Sequence, residues 1–273
     1  MYLGIDIGGT KTLIAAFDEN GQLTEEVKFP SPPQYEDFLE AVRTNVASFK
    51  THEFKMGAIG MPGSQDRERG ISLWSGGNLQ WGQRPVAKDL SEVVGCKLLI
   101  ENDANLAGLG EAILVKDKYH RALYVTVSTG IGGVIVNGGY IEQPTINAEI
   151  GHMIYKQPDG SYLTWEQLAS GKAIVEKFGQ RADEIEDPEI WKAATEPLAA
   201  GIINCCMALT PDVVILGGGA GAQLHRYQQY LDAWIESLHP QSIPMPPIIE
   251  ARRPEEAVVY GAYDLVRQHA GAA

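Results

Sequence analysis

Three glycine-rich turns are the first candidates for chemistry, because each follows an apolar run that predicts a strand. They are Gly8-Gly9, the segment from Gly130 to Gly133, and Gly217-Gly218-Gly219. Backbone N–H groups in such turns can approach a phosphate closely, although a single glycine turn is usually structural. Together they favour a nucleotide whose phosphates lie between two loops. The polar residues beside them are Asp6, Thr10, Lys11, Thr12 and Thr129.

None of these turns has an established nucleotide fingerprint. The spacing GxxxxGK[ST] is missing, so Lys11 is not a P-loop lysine. The spacing GxGxxG is also missing, which weakens a dinucleotide hypothesis.

Two polar segments could supply side-chain chemistry. ENDAN at 101–105 follows a predicted strand and opens a predicted helix, so Asp103 would lie where α/β proteins build their sites. Asp and Asn also cap many helices, which is the structural alternative for this segment. NAEIGH at 147–152 places Glu149 and His152 three residues apart. A lone histidine is more often structural than a ligand.

Alternating strands and helices must position these residues, and the first three strands are predicted to be antiparallel. The pattern of strand, glycine turn and strand occurs twice, which predicts two related α/β lobes with a cleft between them. The predicted strands are 2–7, 13–18, 22–29, 56–61, 97–100, 122–127, 134–136 and 213–216. The predicted helices are 35–46, 86–94, 104–115, 165–178, 189–208, 223–238 and 255–268.

Length, charge and cysteine usage exclude several classes of protein. The 273 residues carry 22 Lys and Arg against 35 Asp and Glu, a net charge of −13, which argues against nucleic acid and anionic membranes as partners. We expect no targeting segment and no membrane span, because the residues from Met1 onward lack a signal-peptide pattern and no stretch reaches 18 apolar residues. The three cysteines lack CxxC spacing, so a reducing cytoplasm is the expected location.

Eight segments occur in an order and at spacings that resemble one family. They are GIDIGGTKT, GMPG at 60–63, NLQW at 78–81, ENDAN followed by LGE, STGIGG, AEIGH, WEQLASG at 165–171, and VVILGGG. In this order they resemble the ROK family of sugar kinases. The resemblance implies an α/β fold of the ribonuclease-H-like, actin and hexokinase ATPase type, with two lobes and a catalytic cleft. The implied lobes are residues 1–103 plus 258–273, and residues 104–257.

The resemblance also implies roles for individual residues. Asp103 matches the catalytic aspartate, which accepts the proton of the reacting hydroxyl. Asp6 would hold Mg²⁺ through water. The implied sugar-binding residues are Gly63, Asn78, Asn102, Glu149, His152 and Glu166. The implied ATP-binding residues are Asp6, Gly8, Gly9, Thr10, Lys11, Thr12, Thr129, Gly130, Gly217, Gly218 and Gly219.

The implied activity is ATP-dependent phosphorylation of a hexose at its 6-hydroxyl, with glucose as the first candidate. An N-acetylated hexosamine, fructose and mannose are alternative substrates, and polyphosphate is an alternative donor. A non-catalytic sugar sensor is the second hypothesis, which the charge of −13 and the retained Asp103 disfavour. An actin-like ATPase would share the fold but not the sugar motifs. Family members are commonly oligomers, so a homodimer is expected.

The sequence departs from the family in one place. Most members carry a cysteine-rich zinc loop between the GH of AEIGH and the glutamate of the next helix, whereas 153–165 contains no cysteine. We therefore expect no structural zinc. His152 would then depend on other contacts, for which Tyr155, Tyr162 and Trp165 are the candidates.

Overall fold

The computed structural model describes residues 1–75, 79, 81–240 and 242–271. It contains two compact α/β units. Unit 1 comprises Met1–Gly110 and Glu256–Ala273, and unit 2 comprises Glu111–Glu255. The lobe boundaries expected from the sequence, at 103/104 and 257/258, stay a prediction.

The strands include all those that the sequence predicts, together with short ones that it does not. Unpredicted strands occur as small polar hairpins and at sheet edges, where the apolar alternation is weak. In chain order the strands are β1 Tyr2–Ile7, β2 Lys11–Phe17, β3 Leu23–Pro30, β4 Met56–Met61, β5 Gly63–Asp66, β6 Ile71–Ser75, β7 Leu98–Asn102, β8 Arg121–Val127, β9 Ile131–Asn137, β10 Tyr140–Ile141, β11 Ile154–Lys156, β12 Tyr162–Thr164, β13 Val213–Gly217 and β14 Ile248–Glu250.

The helices lie close to their predicted positions, with two corrections: one predicted helix is split, and a short helix at Gly218–Gly221 stands where the sequence predicts only a glycine turn. In chain order they are α1 Tyr35–Val46, α2 Val86–Val94, α3 Asp103–Ile113, α4 Trp165–Ala169, α5 Gly171–Phe178, α6 Pro188–Leu209, α7 Gly218–Gly221, α8 Leu224–Leu238 and α9 Ala257–Gly271. The single helix predicted over 165–178 is wrong, because Ser170 is extended (φ −70°, ψ 163°) and separates α4 from α5. The Ser170 hydroxyl oxygen accepts a hydrogen bond from Ala173 N at 3.1 Å and caps α5.

The sheet of unit 1 has the order β3-β2-β1-β4-β7. Strands β1, β2 and β3 are antiparallel, as predicted, while β1, β4 and β7 are parallel. Alternate side chains of β1 and β2 face opposite sides, so the sheet has two apolar faces. One face packs on α1 and α2 through residues such as Phe38 and Leu90, and the other packs on α3 and α9 through residues such as Leu106 and Val259.

Unit 2 repeats this topology, as the recurring strand–turn–strand pattern predicts. Its sheet has the order β10-β9-β8-β13-β14, with β8, β9 and β10 antiparallel and β8, β13 and β14 parallel. The core joins β8 and β13 to α4, α6 and α8, with Trp165 and Ile202 fully buried. In the part of the chain that the structure describes, no helix is long and apolar enough to cross a membrane.

Candidate active site

The carboxyl ends of three parallel strands bring the predicted acidic residues of unit 1 together. Asp6 of β1 is in register with Gly60 of β4, and Gly60 is in register with Glu101 of β7. Asp103 follows directly on β7 as the first residue of α3. Both carboxylates therefore lie at the sheet edge where α/β proteins bind ligands.

The two carboxylates influence each other electrostatically. Burial raises the pKa of Asp6 from 3.8 to about 8, and the nearby negative charge of Asp103 adds to this effect. Lys28 opposes it, because it lies opposite Leu13 of β2, which in turn lies opposite Asp6. No local sequence pattern indicated Lys28, since its proximity to Asp6 depends on the order of the strands.

The first glycine turn is held by a serine that the sequence analysis missed. Ser31 N donates to Thr10 O at 2.9 Å, and the Ser31 hydroxyl donates to Gly8 O at 2.7 Å. The same hydroxyl is 2.8 Å from that of Thr12, whose side chain is buried. Thr10 and Lys11 are exposed, so they are available to a ligand, while Thr12 supports the turn from inside. The only signal for Ser31 was its place among prolines.

Asn102 joins the segment that carries Asp103 to Gly63. Its amide nitrogen donates to Gly63 O at 3.2 Å, and its Oδ1 accepts from Asn105 N at 3.2 Å. Asn102 is therefore the capping residue of α3, and Asp103 occupies the first helical position, where its Oδ1 accepts from Ala104 N at 2.8 Å. Gly63 has φ +96°, and a Cβ there would lie 2.2 Å from Trp74 O, so only glycine fits.

An ion pair between Arg67 and Glu101 supports this segment, and the sequence analysis did not predict it. The Glu101 side chain is 4% exposed and accepts two hydrogen bonds of 2.6 Å from the Arg67 guanidinium. Glu101 Oε1 also accepts from Asn102 N at 2.7 Å and from Asn105 Nδ2 at 2.8 Å. This network fixes the backbone that carries Asn102 and Asp103.

In unit 2, the second and third glycine turns follow neighbouring parallel strands. Gly217 of β13 is in register with Thr126 of β8, so the turns that follow these strands lie at the same sheet edge. A Cβ at Gly217 would lie 2.2 Å from the Tyr124 hydroxyl, and Gly218 has φ +75°, so packing and conformation account for both glycines. Gly219 has no atom within 4 Å of its Cβ position and leaves open space.

The turn at 128–130 is fixed by the start of α5. Ser128 N donates to Gly130 O at 2.9 Å, and Gly171 N donates to Ser128 O at 2.7 Å. Gly132 and Gly133 belong to β9 rather than to a turn, which corrects the sequence interpretation. Thr129 and Gly130 thus form the tip of a short loop between β8 and β9.

The side chains of His152 and Glu166 are brought together in unit 2, and Glu149 joins His152 through the backbone, where His152 N donates to Glu149 O at 3.0 Å. A 3₁₀ turn spans Ile150–His152, with Glu149 at its N-cap position and exposed. The His152 Nε2 lies 3.6 Å from the Glu166 Oε1. Exposed carboxylate and imidazole groups can form hydrogen bonds with the hydroxyl groups of a sugar, which is an uncharged ligand.

Of the three aromatic residues proposed to hold His152, two have other hydrogen-bond partners and the third is exposed. Tyr155 accepts a hydrogen bond from Asn204 Nδ2 at 3.0 Å, and Tyr162 is exposed. Trp165 acts through its backbone, since its N–H donates to the oxygen of Met153 at 2.8 Å. Among the contacts that the structure shows, it is the Glu166 carboxylate that faces the His152 ring. Asn78, also a predicted sugar-binding residue, lies outside the described residues.

Comparison with known proteins agrees with this architecture. The model of the ROK family matches residues 2–269. The chain belongs to the ROK family.

Its relatives in the ROK family are sugar kinases of several specificities. It is 30% identical to a glucokinase of Streptomyces coelicolor, over 98% of this chain and 98% of that protein. It is 26% identical to an N-acetyl-D-glucosamine kinase of Haemophilus influenzae, over 96% of this chain and 98% of that protein. A ROK glucokinase of Streptomyces griseus, solved with glucose and AMPPNP, superposes with a TM-score of 0.81 at 26% identity, covering 98% and 99% of the two chains. The fold is thus the actin and hexokinase type.

The residues of this ROK protein fit a magnesium nucleotide. Mg²⁺ in phosphotransferases is held by one or two carboxylates together with phosphate oxygens and water. Asp6 is suitably placed, and a cation there would relieve its repulsion from Asp103. Of the residues described, none form a group of three or more His, Cys, Asp or Glu side chains that could hold a metal by themselves.

A β-hairpin forms the segment between His152 and α4, where the sequence analysis expects no zinc loop. Strands β11 and β12 pair from Ile154 to Thr164. Their connection is closed by Asp159, whose Oδ1 accepts from Ser161 N at 2.9 Å and from the Ser161 hydroxyl at 2.7 Å. Gln157 N donates to Ser161 O at 2.8 Å. Protein hydrogen bonds therefore close this segment, and the expected absence of zinc stays a prediction.

Proposed function

We propose that this chain transfers the γ-phosphoryl group of ATP to the 6-hydroxyl of glucose, giving glucose 6-phosphate and ADP. The wider activity is that of its family, because the chain is an ATP-dependent sugar kinase. The observation that carries the proposal is the placement of Asp103 at a strand end beside Asp6, with a helix start that fixes its carboxylate. The choice of glucose rests on the glucokinase relative.

Asp103 acts as the general base in this proposal. Its carboxylate accepts the proton of the 6-hydroxyl while that oxygen forms a bond to the γ-phosphorus. The bond between the γ-phosphorus and the β,γ-bridging oxygen breaks, and its electron pair leaves on ADP. The Ala104 N–H, which donates to Asp103 Oδ1 at 2.8 Å, keeps the carboxylate oriented before the sugar arrives.

The sugar is oriented by amide, carboxylate and imidazole groups. Asn102 uses one amide hydrogen on Gly63 O and one lone pair on Asn105 N, so one hydrogen and one lone pair of its amide remain for a hydroxyl. Unit 2 contributes Glu149, His152 and Glu166, of which Glu149 and His152 are exposed.

The proposed ATP-binding residues include those of the glycine turns. In unit 1 they are the N–H groups of Gly9 and Thr10 and the Lys11 ammonium, whereas the Gly8 N–H donates to Lys11 O at 3.0 Å and supports the turn. In unit 2 they are Thr129, Gly130 and the open space at Gly219. Mg²⁺ bound at Asp6 through water would supply positive charge to the phosphate oxygens. A homodimer in the cytoplasm completes the proposal and rests on the family resemblance alone.

N-acetylated hexosamines and fructose are the second candidate substrates. Kinases of both sugars are among the relatives, at 26% and 28% identity. A pocket that accepts an acetamide group differs from a glucose pocket by a few side chains.

The test is a coupled assay of ADP release with Mg²⁺ and ATP over a sugar panel. The panel contains glucose, N-acetylglucosamine, N-acetylmannosamine, mannose, fructose and allose, and a parallel series uses polyphosphate in place of ATP. We expect kcat/KM to be at least about tenfold higher for glucose than for any other sugar. The variant Asp103→Asn, purified in parallel, controls for contaminating kinases. A higher kcat/KM on another sugar overturns the choice of glucose, and turnover with polyphosphate alone overturns ATP as donor.

A further inference from the structure

One carboxylate of unit 2 touches both the proposed phosphate loop and the proposed sugar-binding residues. The Glu166 Oε2 accepts a long hydrogen bond from Ile131 N at 3.4 Å, directly after the tip of that loop. The same oxygen lies 2.6 Å from the position that a Cβ at Gly130 would take. The other oxygen, Oε1, lies 3.6 Å from His152 Nε2. Glu166 therefore contacts the proposed phosphate loop with one carboxylate oxygen and lies near His152, a proposed sugar-binding residue, with the other.

The backbone of Glu166 is held firmly. The preceding Trp165 is fully buried, and its indole N–H donates to Pro197 O at 3.0 Å. Thr164 and Gln167 form a reciprocal capping box at the start of α4. Because the backbone is fixed, the carboxylate can change position only through its own side-chain torsions. The side chain is 32% exposed, so those torsions are not locked by packing.

The phosphate loop has two attachments to the α4–α5 segment, and they differ in kind. At the start of the loop, Gly171 N donates to Ser128 O at 2.7 Å, and this backbone contact does not depend on any side chain. At the end of the loop, the attachment is the Glu166 carboxylate on Ile131 N. Only the second attachment can respond to a ligand that binds Glu166.

We propose that Glu166 is a positioning residue that couples sugar binding to nucleotide binding, a role that rests on the proposed function. A sugar hydroxyl bound by Oε1 and His152 holds the carboxylate in one rotamer, with Oε2 on Ile131 N. The loop at 128–131 is then fixed in the conformation that receives the phosphates. Without sugar, the carboxylate exchanges between rotamers and the loop loses one of its two attachments. By thermodynamic linkage, the nucleotide must tighten sugar binding by the same factor.

A simple electrostatic role of Glu166 predicts a different result, in which the nucleotide affinity changes equally with and without sugar. A carboxylate beside a phosphate loop repels phosphate, so removal of its charge alone would strengthen nucleotide binding with or without sugar. A role confined to sugar contact would change the sugar affinity and leave the nucleotide affinity independent of sugar. The ratio of nucleotide affinities with and without sugar separates these roles from coupling.

The experiment measures the Kd of Mg²⁺–AMPPNP by calorimetry, with and without saturating glucose. We expect glucose to tighten nucleotide binding by about five- to tenfold in the wild type. Glu166→Asp is one methylene shorter and cannot reach both contacts, so its ratio should fall below about twofold. Glu166→Gln keeps the length and an acceptor for Ile131 N, so its ratio should stay above about threefold.

The matched control is Glu176→Gln. Glu176 lies on α5 of the same unit, is 65% exposed and pairs with Lys172, so its loss removes one charge without touching either contact. It should keep the wild-type ratio. Gly130→Ala is a second test that leaves Glu166 itself intact, because the added methyl would displace Oε2 from the loop. Its ratio should also fall below about twofold.

The outcomes separate this role from the proposed function. A wild-type ratio near one, in a protein that phosphorylates glucose, overturns the coupling and leaves the proposed function intact. The coupling is also overturned if Glu166→Asp and Gly130→Ala both show the same ratio as the wild-type protein. Failure to phosphorylate glucose overturns the proposed substrate instead, and the ratio is then measured with the sugar that the panel selects.

Discussion

Asp103 accepts a hydrogen bond at the start of α3 and is the proposed general base, and one substitution separates these two roles. Asp103→Asn keeps the Oδ1 that accepts from Ala104 N at 2.8 Å, so the start of α3 is preserved. It removes the proton acceptor. We expect kcat to fall by about 10²- to 10⁴-fold while the Kd of glucose changes by less than about twofold. Steady-state kinetics and calorimetry measure the two quantities.

Asp37→Asn is the control for this substitution. Asp37 is an exposed residue in the first turn of α1, so its loss removes a carboxylate of the same unit at a distance from the site. Its kcat should equal that of the wild type. Wild-type turnover in Asp103→Asn would exclude Asp103 as the base.

Because the pKa of Asp6 is raised in the folded state, we expect the stability of the ligand-free protein to depend on pH. Its pKa is raised from 3.8 to about 8 by burial and by Asp103, so between these pH values the folded state holds one proton more than the unfolded state. The contribution of this proton to the free energy of unfolding is complete below about pH 4. It is lost as the pH rises through about 8.

Asp6→Asn removes this dependence. In scanning calorimetry without ligands, we expect the variant to gain more Tm over the wild type at pH 9 than at pH 5.5, at about 2–4 °C for each kcal/mol. Asp37→Asn, which removes an exposed carboxylate, should show no such trend. A Tm difference between Asp6→Asn and the wild type that does not vary with pH would contradict the assignment.

At the scale of elements, the position of α4 depends on a close contact with α6. A Cβ at Gly201 of α6 would lie 1.9 Å from Cε2 of the buried Trp165 ring. Trp165 precedes Glu166, so the same contact sets the place of the proposed sugar-binding carboxylate. Gly201→Ala should therefore lower the free energy of unfolding by about 1–3 kcal/mol and raise the KM for the sugar. Urea unfolding and kinetics give both values.

Gly271→Ala shows whether the effect belongs to the contact or to glycine in a helix. Gly271 is in α9, and no atom lies within 4 Å of its Cβ position. Since alanine favours helix over glycine by about 1 kcal/mol, this variant should be neutral or slightly stabilised. Equal destabilisation of the two variants would show that the Trp165 contact is not the cause.

At the scale of the whole molecule, the stability of unit 2 should be independent of metal. The hairpin β11–β12 is closed by hydrogen bonds from Asp159, Ser161 and Gln157. We expect less than about one-tenth of a zinc ion per purified chain, and a Tm that changes by less than about 1 °C with a chelator. Elemental analysis and a thermal scan test this, with added zinc as the control. One tightly held zinc per chain would refute it.

Helix α9 packs closely on both β1 and α3 in unit 1. A Cβ at Gly4 of β1 would lie 2.8 Å from Val259 O of α9, and a Cβ at Gly261 of α9 would lie 1.8 Å from Leu106 O of α3. Glycine at both positions lets the backbones approach each other. The core on this face of the sheet therefore combines α9 with strands β1, β2 and β4 and with α3.

The sequence by itself determined the elements and the family. Apolar runs, helical spacing and glycine turns are local signals, and they predicted the main strands and helices. Eight ordered motifs indicated the ROK family, which the family model confirms, and they predict Asp103 as the catalytic residue. Local signals failed where local and tertiary preferences differ, as at Ser170, whose side chain caps a new helix within an apparently continuous helical pattern.

Only the tertiary structure decided which residues support the site. The Arg67–Glu101 pair joins residues 34 positions apart, and the Ser31 hydroxyl reaches Gly8 across 23 positions. The pKa of Asp6 is raised by burial first and by the charge of Asp103 second, against the opposing charge of Lys28 two strands away. These interactions follow from strand order and register, which sequence spacing does not specify, because strands distant in the chain become neighbours only in the folded sheet.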